Sequence, residues 1–120
     1  MSVTTRKQGN AVIFELEGKL GLGPAVDDFR SAWTEALAAG SRNVVVNLAK
    51  VPVIDSSGIG CLVRCHCAVA AKGGKLRIVA AGGVVRQALK LTNMDQFMEF
   101  HEDETSALAS LGGAAAPAGD

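Results

Sequence analysis

Residues 51–60 read Val51-Pro52-Val53-Ile54-Asp55-Ser56-Ser57-Gly58-Ile59-Gly60, and they join an apolar segment to an amphipathic helical pattern. Aspartate and serine are preferred at helix N-caps, so a helix is predicted to begin at this Asp-Ser pair. Polar side chains at such a junction are exposed and face the positive end of the helix dipole. One cap needs a single side-chain acceptor, whereas this stretch supplies a carboxylate and two hydroxyls.

Strand and helix patterns alternate on both sides of residues 51–60. The strands are short β-branched or alternating apolar runs, and the helices carry apolar residues three or four positions apart. Strands are predicted at residues 3–7, 11–17, 43–48, 75–80 and 97–100, and helices start at Pro24, after Asp55, at Gly82-Gly83 and at Thr105. The order β-β-α-β-α-β-α-β-α predicts an α/β fold, a single domain with a mixed β-sheet and flanking helices.

The same patterns predict the core and the limits of the domain. Phe29 and Trp33 share one helical stripe and are predicted to be core residues rather than a ligand-binding pair. The third helix is expected to contribute apolar contacts from Val84, Val85, Ala88, Leu89 and Leu91. Residues 1–111 are predicted to form the domain. Residues 112–120 contain only Gly, Ala, Pro and one Asp, and are predicted to be a disordered tail.

Composition argues against several classes of partner. Twelve basic and twelve acidic residues give a net charge of zero, and the charges are scattered. Nucleic-acid binding and electrostatic membrane binding both need clustered basic residues, so neither is expected. The chain has no apolar run of about 20 residues, and its first residues lack the apolar core of a signal peptide. A cytoplasmic location is therefore predicted.

The three cysteines do not form a recognisable metal or disulfide pattern. Cys61, Cys65 and Cys67 are an odd number in one window, without a C-x-x-C pair. Cys61 and Cys65 share a helix face, and Cys67 points elsewhere. Buried structural thiols are the favoured interpretation, and no metal or other cofactor is predicted. No enzyme is predicted either, because Ser57 lacks the preceding glycine of the G-x-S-x-G hydrolase motif.

The segment from Val44 to Leu62 resembles the core of STAS domains, the sulfate-transporter and anti-sigma-factor-antagonist domains. The early Gly18-Lys19-Leu20 segment and the later Lys72–Val79 segment also match the family pattern. The residues from Leu89 to Phe97 and the closing Thr105–Leu108 segment fit as well. In total the resemblance covers residues 3–111.

The resemblance implies a function as a stand-alone anti-sigma factor antagonist. In such proteins the second hydroxyl of the motif is phosphorylated by a partner serine kinase that is also an anti-sigma factor. That hydroxyl is Ser57 here, with Ser56 the less favoured acceptor. The unmodified antagonist binds the kinase, phosphorylation weakens the binding and a phosphatase resets it, while ATP belongs to the kinase. The partner-binding residues implied are Gly21, Asp55, Ser56, Ser57, Gly58 and Ile59.

Two positions depart from the usual STAS pattern. Gly21 follows the Gly-x-Leu segment, where the family usually has aspartate, and Asn47 replaces the aspartate of an Asp-Leu pair. Each difference removes a carboxylate that was expected near the phosphorylation face. The alternative function is therefore a STAS scaffold, or a subunit of a signalling or transport complex, that is not phosphorylated.

Overall fold

The computed structural model describes residues 2–80 and 83–111 of the chain. Five strands form one sheet in the order β1-β2-β3-β4-β5, with β1 antiparallel to β2 and the other neighbours parallel. The strands are β1 (Ser2–Gln8), β2 (Ala11–Glu17), β3 (Asn43–Lys50), β4 (Lys75–Val79) and β5 (Glu99–His101). The helices are α1 (Pro24–Ala38), α2 (Ser56–Ala71), α3 (Gly83–Leu91) and α4 (Glu104–Ser110). The predicted fold class and element order are confirmed.

The helices cover both faces of the sheet. Side chains alternate between the two faces of a strand, so β3 contributes Val44 and Val46 to one face and Val45 to the other. The larger core lies on the first face, where α1, α2 and α3 pack. The smaller core lies under α4, where Ala107 packs with Val45.

The first helix forms as its sequence predicts. Pro24 occupies the start of α1, where its missing N–H costs nothing and its fixed φ suits the helix. Phe29 and Trp33 are buried, with edge-to-face ring centroids 4.8 Å apart. They are therefore core residues, as the spacing indicated.

Two details of the predicted elements are wrong. The last strand was placed at residues 97–100, but Phe97 ends a 3₁₀ turn (Met94–Gln96), and the strand is β5. Val84 and Leu91 are 61% and 77% exposed, so α3 buries only Val85 and Leu89 fully. The reason is geometric, because residues 84 and 91 lie about 100–120° around the helix from residue 85.

The predicted tail, residues 112–120, lies outside the described residues, as does Gly82 at the predicted start of the third helix. None of the helices that the structure describes is long and apolar enough to cross a membrane.

Candidate functional site

Two loops lie side by side at the carboxyl ends of β2 and β3. The backbone N–H of Leu20 donates to the carbonyl of Val53 at 3.1 Å, and the N–H of Asp55 donates to the carbonyl of Leu20 at 3.2 Å. A parallel bridge joins Leu20 to Ile54. This pairing brings the segment before α1 against the first turn of α2.

The Asp55 carboxylate joins the two loops. Its Oδ1 accepts a hydrogen bond from the Gly58 N–H at 3.0 Å, which is the N-cap bond that the sequence predicted. Its Oδ2 accepts from the Leu22 N–H at 3.2 Å, across 33 residues of sequence. One side chain therefore caps α2 and also holds the neighbouring loop in place.

The ionised state of Asp55 stabilises this junction. The N–H groups of Gly58 and then Leu22 hold the pKa of the Asp55 carboxyl below its ordinary value of 3.8, since both bonds favour the anion. A depressed folded-state pKa contributes stability above the unfolded value, and that stability is lost as pH falls through the folded value.

We expect Asp55→Ala to lower the melting temperature at pH 7, because both hydrogen bonds disappear. The deficit relative to the unmodified chain should shrink as pH falls below about 3.8, because the unfolded wild-type chain then binds a proton at Asp55 more readily than the folded chain does. Thermal melts between pH 7 and pH 2.5 measure this. Asp28→Ala removes an exposed acid and is the matched control. A deficit that stays constant down to pH 2.5 would contradict the assigned role of the carboxylate.

Two glycines let the backbone pack this closely. A Cβ on Gly58 would overlap the carbonyl oxygen of Leu20 and lie 2.7 Å from Cγ1 of Ile54. A Cβ on Gly21 would overlap Oδ2 of Asp55 and lie 2.9 Å from its Cγ. The residue at position 21 must therefore be small if Asp55 is to reach the Leu22 N–H.

The two serines occupy the first turn of α2. Ser56 is exposed and Ser57 is half-buried. Within the part of the chain that the structure describes, neither hydroxyl forms a hydrogen bond. Both line a groove of about 420 Å³, which is formed by Leu22, Gly23, Val26, Asp27, Ser56, Ser57, Gly60 and Arg64. Leu22, on the rim of this groove, is 86% exposed.

The structure brings the six predicted partner-binding residues to one end of the sheet. Gly21 and Gly58 are buried and allow the two loops to approach each other closely, and Asp55 connects the loops. Ile59 is partly buried and packs against the larger core, so it contributes less surface than the sequence suggested.

The sequence missed two features of this site. No sequence pattern predicted a role for Leu22, which lies in a glycine-rich loop. Only the hydrogen bond from its N–H to Asp55 shows that it belongs to the site. Arg64 could have been found from the sequence, because it follows Ser57 by seven residues and residues seven apart lie on the same face of a helix.

Asn47 lies on the other face of the sheet, beneath α4. Its amide nitrogen donates to Glu104 Oε2 at 2.7 Å, and its oxygen accepts from the Ala49 N–H at 2.9 Å. The expectation that residue 47 would place a carboxylate at the phosphorylation face is wrong. Strand alternation directs its side chain away from α1 and α2.

The cysteines are placed largely as predicted. Cys61 and Cys65 are buried, and Cys67 is exposed. Burial raises the pKa of Cys61 to about 11, so its thiol stays protonated and behaves as an apolar core group. In the described ranges, no group of three or more His, Cys, Asp or Glu residues could hold a metal ion.

The same fold occurs in solved structures of anti-sigma factor antagonists. The protein of Thermotoga maritima assigned as such an antagonist superposes with a TM-score of 0.84 at 22% identity, covering 91% of this chain and 93% of that one. The antagonist from Mycobacterium paratuberculosis gives 0.80 at 17% identity, with 92% of each chain covered. The phosphorylated form of the Bacillus cell-fate determinant SpoIIAA gives 0.70 at 19% identity, covering 91% of this chain and 98% of that one.

The family follows from the sequence match. The STAS domain model matches residues 2–107 of the 120, so this chain belongs to the STAS domain family.

Proposed function

We propose that this protein is an anti-sigma factor antagonist that binds an anti-sigma factor with serine kinase activity and is switched off by phosphorylation of Ser57. The observation that carries the proposal is the first turn of α2, where two serine hydroxyls without hydrogen-bond partners in the described chain line a groove. The same fold in three antagonists supports the role. The proposed domain is residues 1–111, and the proposed location is the cytoplasm.

The local physics suits a modification that leaves the fold intact. A phosphoserine carries about −1.5 to −2 charges at pH 7. At the N-terminus of a helix this charge faces the positive end of the dipole, so the domain tolerates it. The effect then falls on the partner, which must desolvate the dianion or meet it with its own charges. The modification can therefore change binding without unfolding α2.

The chain acts as the substrate of the phosphoryl transfer and not as its catalyst. The partner kinase would supply ATP, take the proton from Oγ of Ser57 and transfer the γ-phosphoryl group to that oxygen, leaving ADP. Both histidines of this chain have other neighbours. The ring of His66 lies 5.2 Å from that of Phe97, and His101 bonds to Glu99 and Ser106 at 2.7 Å. A phosphatase would reverse the modification.

The second candidate is a STAS scaffold, or a subunit of a signalling or transport complex, that is never phosphorylated. One observation favours it. Gly21 stands where the family usually has aspartate, and a side chain there would displace the Asp55 carboxylate. The surface beside Ser57 therefore lacks the carboxylate that the family pattern supplies at that position.

Phosphorylation separates the two candidates. We expect incubation with ATP and the serine kinase that co-purifies with the unmodified chain to add one phosphate, seen by intact mass. Ser57→Ala should abolish the addition, whereas Ser56→Ala, which removes the neighbouring groove-lining hydroxyl, should retain it. Stoichiometric phosphorylation of the Ser57→Ala variant at another residue would reject Ser57. No added phosphate on any variant would favour the scaffold.

A further inference from the structure

Arg64 lies on the same face of α2 as Ser57. The two residues are seven positions apart, which places them within about 20° around the helix and about 10.5 Å apart along its axis. Ser56 lies about 80° from Arg64 in the same projection. Side chains on a helix lean toward its N-terminus, so the long side chain of Arg64 leans toward Ser57.

The contacts around Gly60 show that Arg64 does extend this way. Its Nη1 lies 3.8 Å from the position that a Cβ on Gly60 would occupy. Gly60 is three residues after Ser57, a rise of about 4.5 Å, so the guanidinium lies within about one helical turn of the serine. All three residues line the 420 Å³ groove. The missing side chain at position 60 leaves the space between them open.

The acidic residues near the groove have partners other than Arg64, so its guanidinium is free to bind an added anion. Among the residues that the structure describes, the two charged ones that line the groove are Asp27 and Arg64. Asp27 is paired with Arg30 on α1 at 3.4 Å, and both side chains are largely exposed. Arg64 forms neither an ion pair nor a hydrogen bond with any residue in the described ranges. Asp55, the other nearby acid, already accepts from two backbone N–H groups.

We propose that Arg64 is the residue that binds the phosphate of phosphorylated Ser57. This inference rests on the proposed function and adds the group that receives the modification. A guanidinium can donate two parallel hydrogen bonds to phosphate oxygens, which makes arginine well suited to this contact. The phosphate would lie in the groove that Leu22 also lines, so phosphorylation narrows this groove as well as adding charge. Arg64 binds the phosphate after its transfer and takes no part in the transfer itself.

The contact is tested on a full chain with phosphoserine encoded at position 57, so that no kinase is needed. The readout is the pKa of the second phosphate ionisation, which is about 6 for free phosphoserine and is followed by ³¹P NMR. Arginine favours the dianion, so we expect this pKa to rise by about 0.5 unit in Arg64→Gln. Arg64→Lys, which keeps the charge but loses the bidentate geometry, should give a smaller rise.

Lys72→Gln is the matched control, because it removes one exposed cation from the other end of the same helix. Position 72 lies roughly 22 Å along the axis from position 57, more than two Debye lengths at physiological salt. Its phosphate pKa should therefore change by less than about 0.1 unit. An unchanged pKa in Arg64→Gln, or an equal rise in both variants, overturns the proposal. Neither result depends on whether a kinase modifies Ser57, which the intact-mass experiment decides separately.

Discussion

Gly58→Ala is expected to destabilise the protein by about 2 kcal/mol, the range observed when a methyl group is forced into a packed site. The added Cβ would overlap the carbonyl oxygen of Leu20 and lie 2.7 Å from Ile54 Cγ1. That carbonyl belongs to backbone, so a rotamer change cannot relieve the overlap. The loop before α1 must shift, and the Asp55 bond to Leu22 is weakened with it.

Gly60→Ala is the control for this variant, in the same helix and two residues away. Its Cβ would meet only Nη1 of Arg64, at an ordinary 3.8 Å. Alanine is favoured over glycine within a helix, so this variant should be more stable than the parent by about 0.5–1 kcal/mol. Urea unfolding measures both changes. If the two variants shift the free energy of unfolding in the same direction, the close approach of α2 to the Leu20 loop is wrong.

The fold was predictable because its elements follow local patterns. β-Branched runs such as residues 43–48 indicated a buried central strand, and β3 is the third of five strands. Pro24 and the Asp-Ser pair at residues 55–56 marked helix starts by known chemistry. The two errors in the predicted elements occur where tertiary packing, rather than local pattern, determines the structure. Whether Val84 and Leu91 are buried, and where β5 starts, depend on which apolar residues find room in the core, and pattern alone does not fix that.

The candidate site was predictable in part. The N-cap bond of Asp55 is local, and the sequence indicated it. Its bond to Leu22 joins residues 33 apart, and no local pattern reports such a contact. For Asn47 the sequence misled. The strand that carries it leads toward residues 51–60, which suggested the phosphorylation face, but strand alternation places its side chain under α4. A side chain's face in a strand changes with every residue, so proximity in sequence is a poor guide there.

Phosphorylation of Ser57 is expected to weaken binding of the anti-sigma factor by about 100-fold or more. Removing a phosphate dianion from water at an interface without full compensation costs several kcal/mol, and each 1.4 kcal/mol changes affinity tenfold. The affected surface includes Leu22, an 86% exposed apolar side chain beside the modified serine. The free energy of unfolding should change little, because the phosphate lies at a helix N-terminus and the modified hydroxyl has no partner in the described chain to lose.

The switch at Ser57 is measured through the dissociation constant of the co-purifying anti-sigma factor, by calorimetry, for the unmodified chain and for the chain with phosphoserine at position 57. Phosphoserine at position 56 is the control, since it adds the same charge one residue away, on the more exposed of the two serines. We expect tight binding of the unmodified chain, a loss of about 100-fold or more with phosphoserine 57, and a smaller loss with phosphoserine 56. Equal affinity of the unmodified and phosphoserine-57 chains would contradict the proposed switch.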